Sequence, residues 1–432
     1  MAGSSWYSRR STRTGVMLLL LVFVLVFAAL GTASADHIDI RAGFELDGNA
    51  EVDALGPDWV TVLETSPGSG VWTGNPAYIT TGVIAEPPDV DVTYFKGGGS
   101  KDIRDIPDWR WSDTPQAPDK NEITNAYAYA AVPDPVNNPG EVILYFGTDR
   151  YSNDGDSAVG FWFFQDPVAT SDVVQGGGKT FVGEHVNGDV FVVSDFTNGG
   201  TVETVTVYTW QDGELVLETT GTDCSLATAS PDVCGVVNDG PVNSPWPYVP
   251  KPNVGDPGEW PSLTFFEGGV NLGEIGAGIG CFSSFLAETR SSQETTAQLK
   301  DFALGGFEIC DANIEIEPDA VNEVGDSHTF TINVNKVVAG AESPADDGTI
   351  VDVTLTASDG AAVNLISDNC ASPGTVSGSC TVTFTSATAG TVSANAAASV
   401  EVLDGDFVDV ETDGIGDNSD DAVKHFVDAS IS

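Results

Sequence analysis

Residues 145–165, YFGTDRYSNDGDSAVGFWFFQ, constrain the fold of this chain more than any other stretch. Residues 141–146 (EVILYF) and 159–164 (VGFWFF) are β-branched and aromatic, the composition of strands. The run Phe161-Trp162-Phe163-Phe164 is too bulky and apolar to leave in water, so it belongs near the centre of a sheet core. Between the two runs lie Asp149, Asn153, Asp154 and Asp156, and Gly155 supplies the conformational freedom that a tight reversal needs. The stretch predicts an oxygen-rich loop at the rim of a β core, an arrangement better suited to binding than to catalysis.

Residues 1–35 read as a secretion signal. Arg9, Arg10 and Arg13 form a basic start, residues 16–30 are unbroken apolar, and Ala33-Ser34-Ala35 is an A-x-A cleavage site. The apolar stretch is short for a bilayer core of ~30 Å. A twin-arginine signal would need an apolar pair just after Ser8-Arg9-Arg10, and none follows, so the expectation is ordinary secretion. Nothing after residue 35 is apolar enough over sufficient length to span a membrane as a helix. The chain carries 64 acidic against 16 basic residues, a net charge of −48. Nucleic acid and anionic lipid would be repelled by such a surface. A solvated extracellular surface, a salt-rich habitat or divalent cations all suit it.

The six cysteines of a secreted chain imply disulfides. Six allow 15 pairings, and the spacing favours sequential ones: Cys224 with Cys234, Cys281 with Cys310, and Cys370 with Cys380. Zinc would need C-x₂₋₄-C spacing, which is absent.

The length after cleavage predicts two or three domains. With 48 Gly, 23 Pro and abundant Val and Thr, the chain is expected to be all-β: a large jelly-roll-like β-sandwich over 36–310, an Ig-like β-sandwich over 311–403, and an acidic linker with the start of a further repeat over 404–432. Strands are expected at 58–63, 190–193, 201–210 (strictly alternating), 214–218 and 261–266, with loop plus strand at 282–302. After Cys310 the tryptophans disappear and short, regular strands follow at 314–316, 330–334, 350–355, 380–384 and 390–394.

The C-terminal part resembles bacterial Ig-like repeats of the invasin/intimin type. Pro318, the Asn322-x-x-Gly325 turn before His328-Thr329-Phe330-Thr331, the Gly378-x-Cys380-x-Val382-x-Phe384 strand and residues 388–394 carry the likeness. Phrases such as Phe44-Glu-Leu-Asp-Gly-Asn49 and Thr148-Asp-Arg150 resemble the N-terminal region of secreted bacterial multi-repeat surface proteins. The texture of 36–310 is also similar to a concanavalin-like lectin/glucanase jelly roll. That likeness implies two packed antiparallel sheets with a concave face for a sugar. Trp109 and Trp111, in a polar stretch with Pro107 and Pro115, would then stack on sugar rings, whereas Trp162 reads as core, and Trp210 and Trp246 are further candidates set against a core role. Asp311-Ala-Asn-Ile314 recurs as Asp428-Ala-Ser-Ile431, the expected start of the further repeat.

Two acidic loops are candidates for calcium, which takes six to eight oxygen ligands. One holds Asp149, Asn153, Asp154 and Asp156, though it lacks EF-hand spacing and contains Arg150, and an Asx-rich turn is the plain alternative. The other, residues 413–421 (DGIGDNSDD), reads equally as a solvated linker. Calcium at a module junction would stiffen a rod of tandem domains.

Catalysis finds little purchase. Glu267 and Glu274 are the nearest carboxylate pair in aromatic surroundings, and a separation of seven puts them on opposite faces of a strand. Of four histidines, His185 alone is placed for chemistry, and no G-x-S-x-G accompanies it. Gly176-Gly-Gly-Lys-Thr180 ends like a P-loop, but Val173 stands where the first glycine should be and a strand follows, so it reads as a turn. The expectation is a secreted or cell-surface, non-enzymatic protein that binds extracellular glycan or protein through its N-terminal module, with an Ig-like stalk. The alternatives are a glycan-degrading enzyme with a diverged carboxylate pair and a purely structural surface component.

Overall fold

The computed structural model describes residues 39–53, 57–63, 79–85, 93–114, 117–133, 141–196, 202, 204–227, 230–275, 280–403 and 405–428. The secretion signal and the Asp428–Ile431 echo lie outside these residues, wholly or in large part. The chain is all-β, with helical structure among the described residues limited to single turns.

The two apolar runs flanking the acidic loop become the strands Ile143–Arg150 and Ser157–Phe164. They are not partners of each other. The first joins a sheet with Ile123–Ala131, Phe265–Asn271 and Val233–Val237, all antiparallel. The second lies in the facing sheet, between Val190–Phe196 and Ser284–Arg290. Residues 151–156 therefore carry the chain from one sheet to the other. Phe146 meets Phe161 across the gap at a ring separation of 4.8 Å. Alternate residues of both sheets fill this core: Ala128, Phe146 and Phe266 from one, Phe163, Val192 and Phe285 from the other. One hydrogen-bonded path of 15 strands runs through both sheets and into the short strands that follow.

The other face of each sheet is covered as well. Trp162, Phe164, Phe191 and Phe302 form a second core with Phe95, Trp109 and Phe181 from segments folded over the second sheet. On the first sheet Tyr127 and Tyr145 lie beneath Phe44, Trp59 and Trp246. Burial on both faces is why residues 161–164 carry no alternation. Residues 58–63, expected as a strand, instead form the helical turn Trp59–Val62, because Asp58 and Thr61 make a reciprocal capping box.

Beyond Cys310 a second sandwich begins. One sheet contains Cys310–Glu317, His328–Val338, Ser379–Ser386 and Val363–Asp368; the other contains Ala320–Glu323, Ala422–Val427, Gly390–Leu403 and Val351–Ser358. Ile314, Phe330 and Phe384 pack against Val392, Ala396 and Phe426 between them. The expected linker at 404–432 is corrected here. It supplies two strands, Asp406–Glu411 paired with Gly390–Leu403, and Ala422–Val427 paired both with Gly390–Leu403 and, in parallel, with Ala320–Glu323. The charged residues that suggested a linker occupy outward positions, while Val410, Ala422 and Phe426 point inward.

The two sandwiches share interior. Val338 and Ala339, at the end of the longest strand of the C-terminal first sheet, belong to the core of the N-terminal sandwich. Ala339 donates its N–H to the Ile309 carbonyl (2.7 Å), and the Cys281 N–H donates to the Asp406 carboxylate (2.7 Å). The Cys281–Cys310 disulfide lies at the same junction, and Cys224–Cys234 and Cys370–Cys380 close short loops within each sandwich. Residues 39–432 form one compact unit.

Candidate functional site

The polar chemistry of the N-terminal sandwich is concentrated beneath the two covering layers. On the first sheet, Glu267 faces outward while its neighbour Phe266 faces the core. Glu267 stands opposite Gly147, which stands opposite Tyr127. A Cβ on Gly147 would lie 2.3 Å from a Tyr127 ring carbon, so glycine is required for that ring to lie flat across the sheet. Residues 44–53 and 57–62 close over this row. The N–H groups of Asp47 (2.9 Å) and Gly48 (2.7 Å) donate to one oxygen of Glu267, and the Trp59 indole N–H donates to the other (2.7 Å).

Asp58, also buried, caps the turn that carries Trp59. Burial and then the charges of Asp47 and Glu45 push its carboxyl up to about 9. Burial and then Asp58 raise Glu267 well above the usual carboxylate range. Farther along the row Asp149 accepts from the Thr124 hydroxyl, the Asn125 amide (2.9 Å) and the indoles of Trp260 (3.0 Å) and Trp246 (3.4 Å). Burial outweighs these donors and lifts Asp149 to about 7. The Tyr127 hydroxyl, enclosed with these acids, has no hydrogen-bond partner among the described residues.

A second cluster lies on the facing sheet. Arg290 pairs with Asp102 at 2.8 Å, and Trp162 donates its indole N–H to the same carboxylate at 3.0 Å. Glu288 lies 3.6 Å from the guanidinium; burial and then Asp102 raise it well above the usual carboxylate range. Gly160 makes room for it, since a Cβ there would come within 2.7 Å of the Glu288 carboxyl. Beside this cluster His185 meets Asp189 at 2.9 Å and stacks on Trp210 at 4.3 Å, fully enclosed. Both clusters tie a covering segment to a sheet. Their carboxyl groups are sealed from solvent.

The sequence-derived sites fare differently. Trp109 and Trp111 are corrected: both are buried, Trp109 completely. The Trp109 indole donates to the Lys101 carbonyl and that of Trp111 to the Thr180 carbonyl, with the Lys179 ammonium 4.4 Å over the Trp111 ring. The polar residues around them point outward on alternate positions, so a polar stretch does not expose its aromatics. Trp162, Trp210 and Trp246 are also buried. The oxygens of Asp149, Asn153, Asp154 and Asp156 do not gather. Asp149 faces the buried tryptophans, the Asn153 amide donates to the Ser262 carbonyl, Asp154 pairs with Lys251 (2.6 Å), and Lys120 reaches the Asp156 backbone carbonyl. Among the described residues no group of three or more His, Cys, Asp or Glu side chains is placed to hold a metal ion.

In the 413–421 loop, Asn418 and Ser419 accept backbone N–H groups of Ile314 and Ile316, which fastens the loop to the sandwich. Glu274 is exposed on a separate turn, and the acid whose charge acts most on Glu267 is Asp58. Gly176 and Gly177 form a left-handed turn between two strands. The pairings Glu267–Trp59 and Asp102–Arg290 went unread in the sequence. Their only local signal is a charged residue on a position that alternates with core, as Glu288 and Arg290 do within SFLAETR.

An open groove of about 530 Å³ lies on the C-terminal sandwich, lined by Asp352, Ala397, Ser399, Asp409, Glu411 and Asp413 among others.

The described chain thus defines a two-sandwich, all-β, disulfide-bonded protein. No protein family and no curated protein matches it. Among solved structures it is similar to surface layer protein SbsC, domains 1–6, at 10% identity and a TM-score of 0.19, over 79% of this chain and 53% of that one. It is also similar to the S-layer protein rSbsC(31-844), at 11% identity and a TM-score of 0.17, over 66% and 53%. The chain spans about half the length of these structures, and superpositions this loose assign neither topology nor role.

Proposed function

We propose that the protein is a secreted, non-catalytic cell-surface component in which the two sandwiches act as one stiff body that presents protein-binding surfaces outward. The observation that carries this reading is the shared junction, where Val338 and Ala339 enter the N-terminal core beside the Cys281–Cys310 disulfide. Disulfides favour an oxidising, extracellular setting, and a strongly acidic surface stays solvated there. The sealed state of Glu267, Asp58, Glu288 and Asp102 supports a structural role for these acids over glycan hydrolysis, which needs carboxyl groups open to substrate and water. The burial of Trp109 and Trp111 favours protein over glycan as the ligand.

Labelling intact source cells with a membrane-impermeant amine reagent tests the location, and small-angle scattering of the purified protein tests the stiffness. Surface labelling with a single rigid scattering profile is expected. An unlabelled protein, or two modules tumbling independently, would overturn the reading. Release of reducing sugar from any glycan would overturn its non-catalytic part.

A further inference from the structure

The strand Val351–Ser358 (VDVTLTAS) ends its sheet, and Val363–Asp368 ends the facing sheet. The two edges follow each other in the chain, and among the described residues no strand covers either. Val351 donates its N–H away from the sheet, to the Cys370 carbonyl. In an antiparallel ladder the N–H and C=O of one residue point to the same side and alternate along the strand. Val353, Leu355 and Ala357 therefore turn their backbone groups toward the open side.

Natural edges are guarded by lysine, proline, bulges or charge. The edge strand Ala169–Gln175 has a register shift and Asp172, and Val363–Asp368 has a register shift of its own. Val351–Ser358 runs in unbroken register, without lysine, proline or any charge beyond Asp352. Val353 and Leu355 are only half buried, and on the edge strand of the facing sheet Leu365 and Ile366 are more than half exposed.

Charge identifies what fits this edge. Asp352 lies opposite Ala397, and Ala397 lies opposite Glu411 on its other side. With strands about 4.8 Å apart, the small Ala397 leaves a notch between two carboxylates, and Asp409 and Asp413 extend the acidic lining. An acidic partner would be repelled here and by the net charge of −48. We propose that Val351–Ser358 is a docking edge for an extended, basic segment of another protein. The segment adds as a further strand, places a lysine or arginine in the Asp352–Glu411 notch, and lays apolar side chains against Val353 and Leu355. This goes beyond the surface-component reading and does not depend on it, since it is tested on the purified protein.

The probe is a fluorescent peptide of alternating valine and lysine, with a valine–glutamate twin as control, followed by anisotropy. The basic peptide is expected to bind and the acidic twin to fail. Ala357→Pro removes an outward N–H, and Thr356→Lys adds a like charge on an exposed position without touching the backbone. Each is expected to weaken binding about tenfold. The double change Asp352→Asn, Glu411→Gln should weaken it similarly and flatten its salt dependence. Absence of binding would overturn the proposal, and so would binding to the Thr356→Lys and double variants as tight as to the unaltered protein, which would leave only diffuse attraction to an acidic surface. A dimer of the unaltered protein that Thr356→Lys dissolves would overturn it in favour of a second copy as occupant.

Discussion

Trp59 donates its indole N–H to Glu267 across 2.7 Å, joining positions 208 residues apart in the chain. With the N–H groups of Asp47 and Gly48 on the other oxygen, one carboxyl group holds the covering segment against the first sheet.

Glu267→Ala should therefore leave three donors without this acceptor, those of Gly48 and Trp59 enclosed, and cost about 3 kcal/mol. Glu267→Gln retains an acceptor oxygen and should cost markedly less. Urea unfolding of both variants checks the difference; equal losses would mean that the carboxyl group acts only as filling volume.

Stability should fall as pH rises. Asp149 and Asp58 are lifted to about 7 and about 9 in the fold and return to the ordinary carboxylate value near 3.9 on unfolding. Over that window the folded protein keeps protons that the unfolded chain has released, so each rise in pH favours unfolding. The Asp149 contribution is lost between about pH 4 and 7, and that of Asp58 between about pH 4 and 9. Melting temperatures measured from pH 5 to 9 should decline, and Asp149→Asn should flatten the lower part of the slope. A melting temperature that climbs with pH would contradict both assignments.

The Asp102–Arg290 pair is fully enclosed. Arg290→Met alone strands the Asp102 carboxylate and should cost about 3–5 kcal/mol, while adding Asp102→Asn should recover part of the loss. A double-mutant cycle by chemical denaturation measures the coupling; additive losses would show that the two groups act independently.

The junction can be probed from either side. Replacing both Cys281 and Cys310 by serine should lower stability by about 2–4 kcal/mol yet leave one scattering body, because Val338 and Ala339 still share the N-terminal core. Ala339→Asp puts a charge into that core and should make the residues near 308 sensitive to limited proteolysis. Resistance equal to the parent protein would show that the shared packing is dispensable.

Local chemistry explains what the sequence disclosed. Residues 161–164 could only be core, and cysteines spaced 10, 29 and 10 apart suggested the partners they have. The change of texture at Cys310 is also real, because a sandwich of small and β-branched residues starts there. What stayed hidden depends on long-range pairing. Nothing near Asp58 names Glu267, and Asp58–Leu63 became a helical turn because a capping box outweighed its β-prone residues. Trp109 looked exposed among prolines and aspartates, yet the segment folds back so that its ring meets Phe95 and Phe181. Residues 406–427 looked like a linker because Asp409 and Glu411 face outward while the inward positions of the two strands, Val410, Ala422 and Phe426, are few and spaced apart.

The Val338–Ala339 turn carries a consequence for how such a chain is assembled and inherited. A chain emerging from its N-terminus first cannot close its first core when residue 306 appears; it must wait for a turn some thirty residues later, and Cys281 must wait for Asp406. The first sandwich would therefore pass through an unfinished stage with apolar surface showing. A gene rearrangement that cut at residue 310 and exchanged either half would leave that gap unfilled. The two sandwiches are accordingly expected to travel through evolution as a pair.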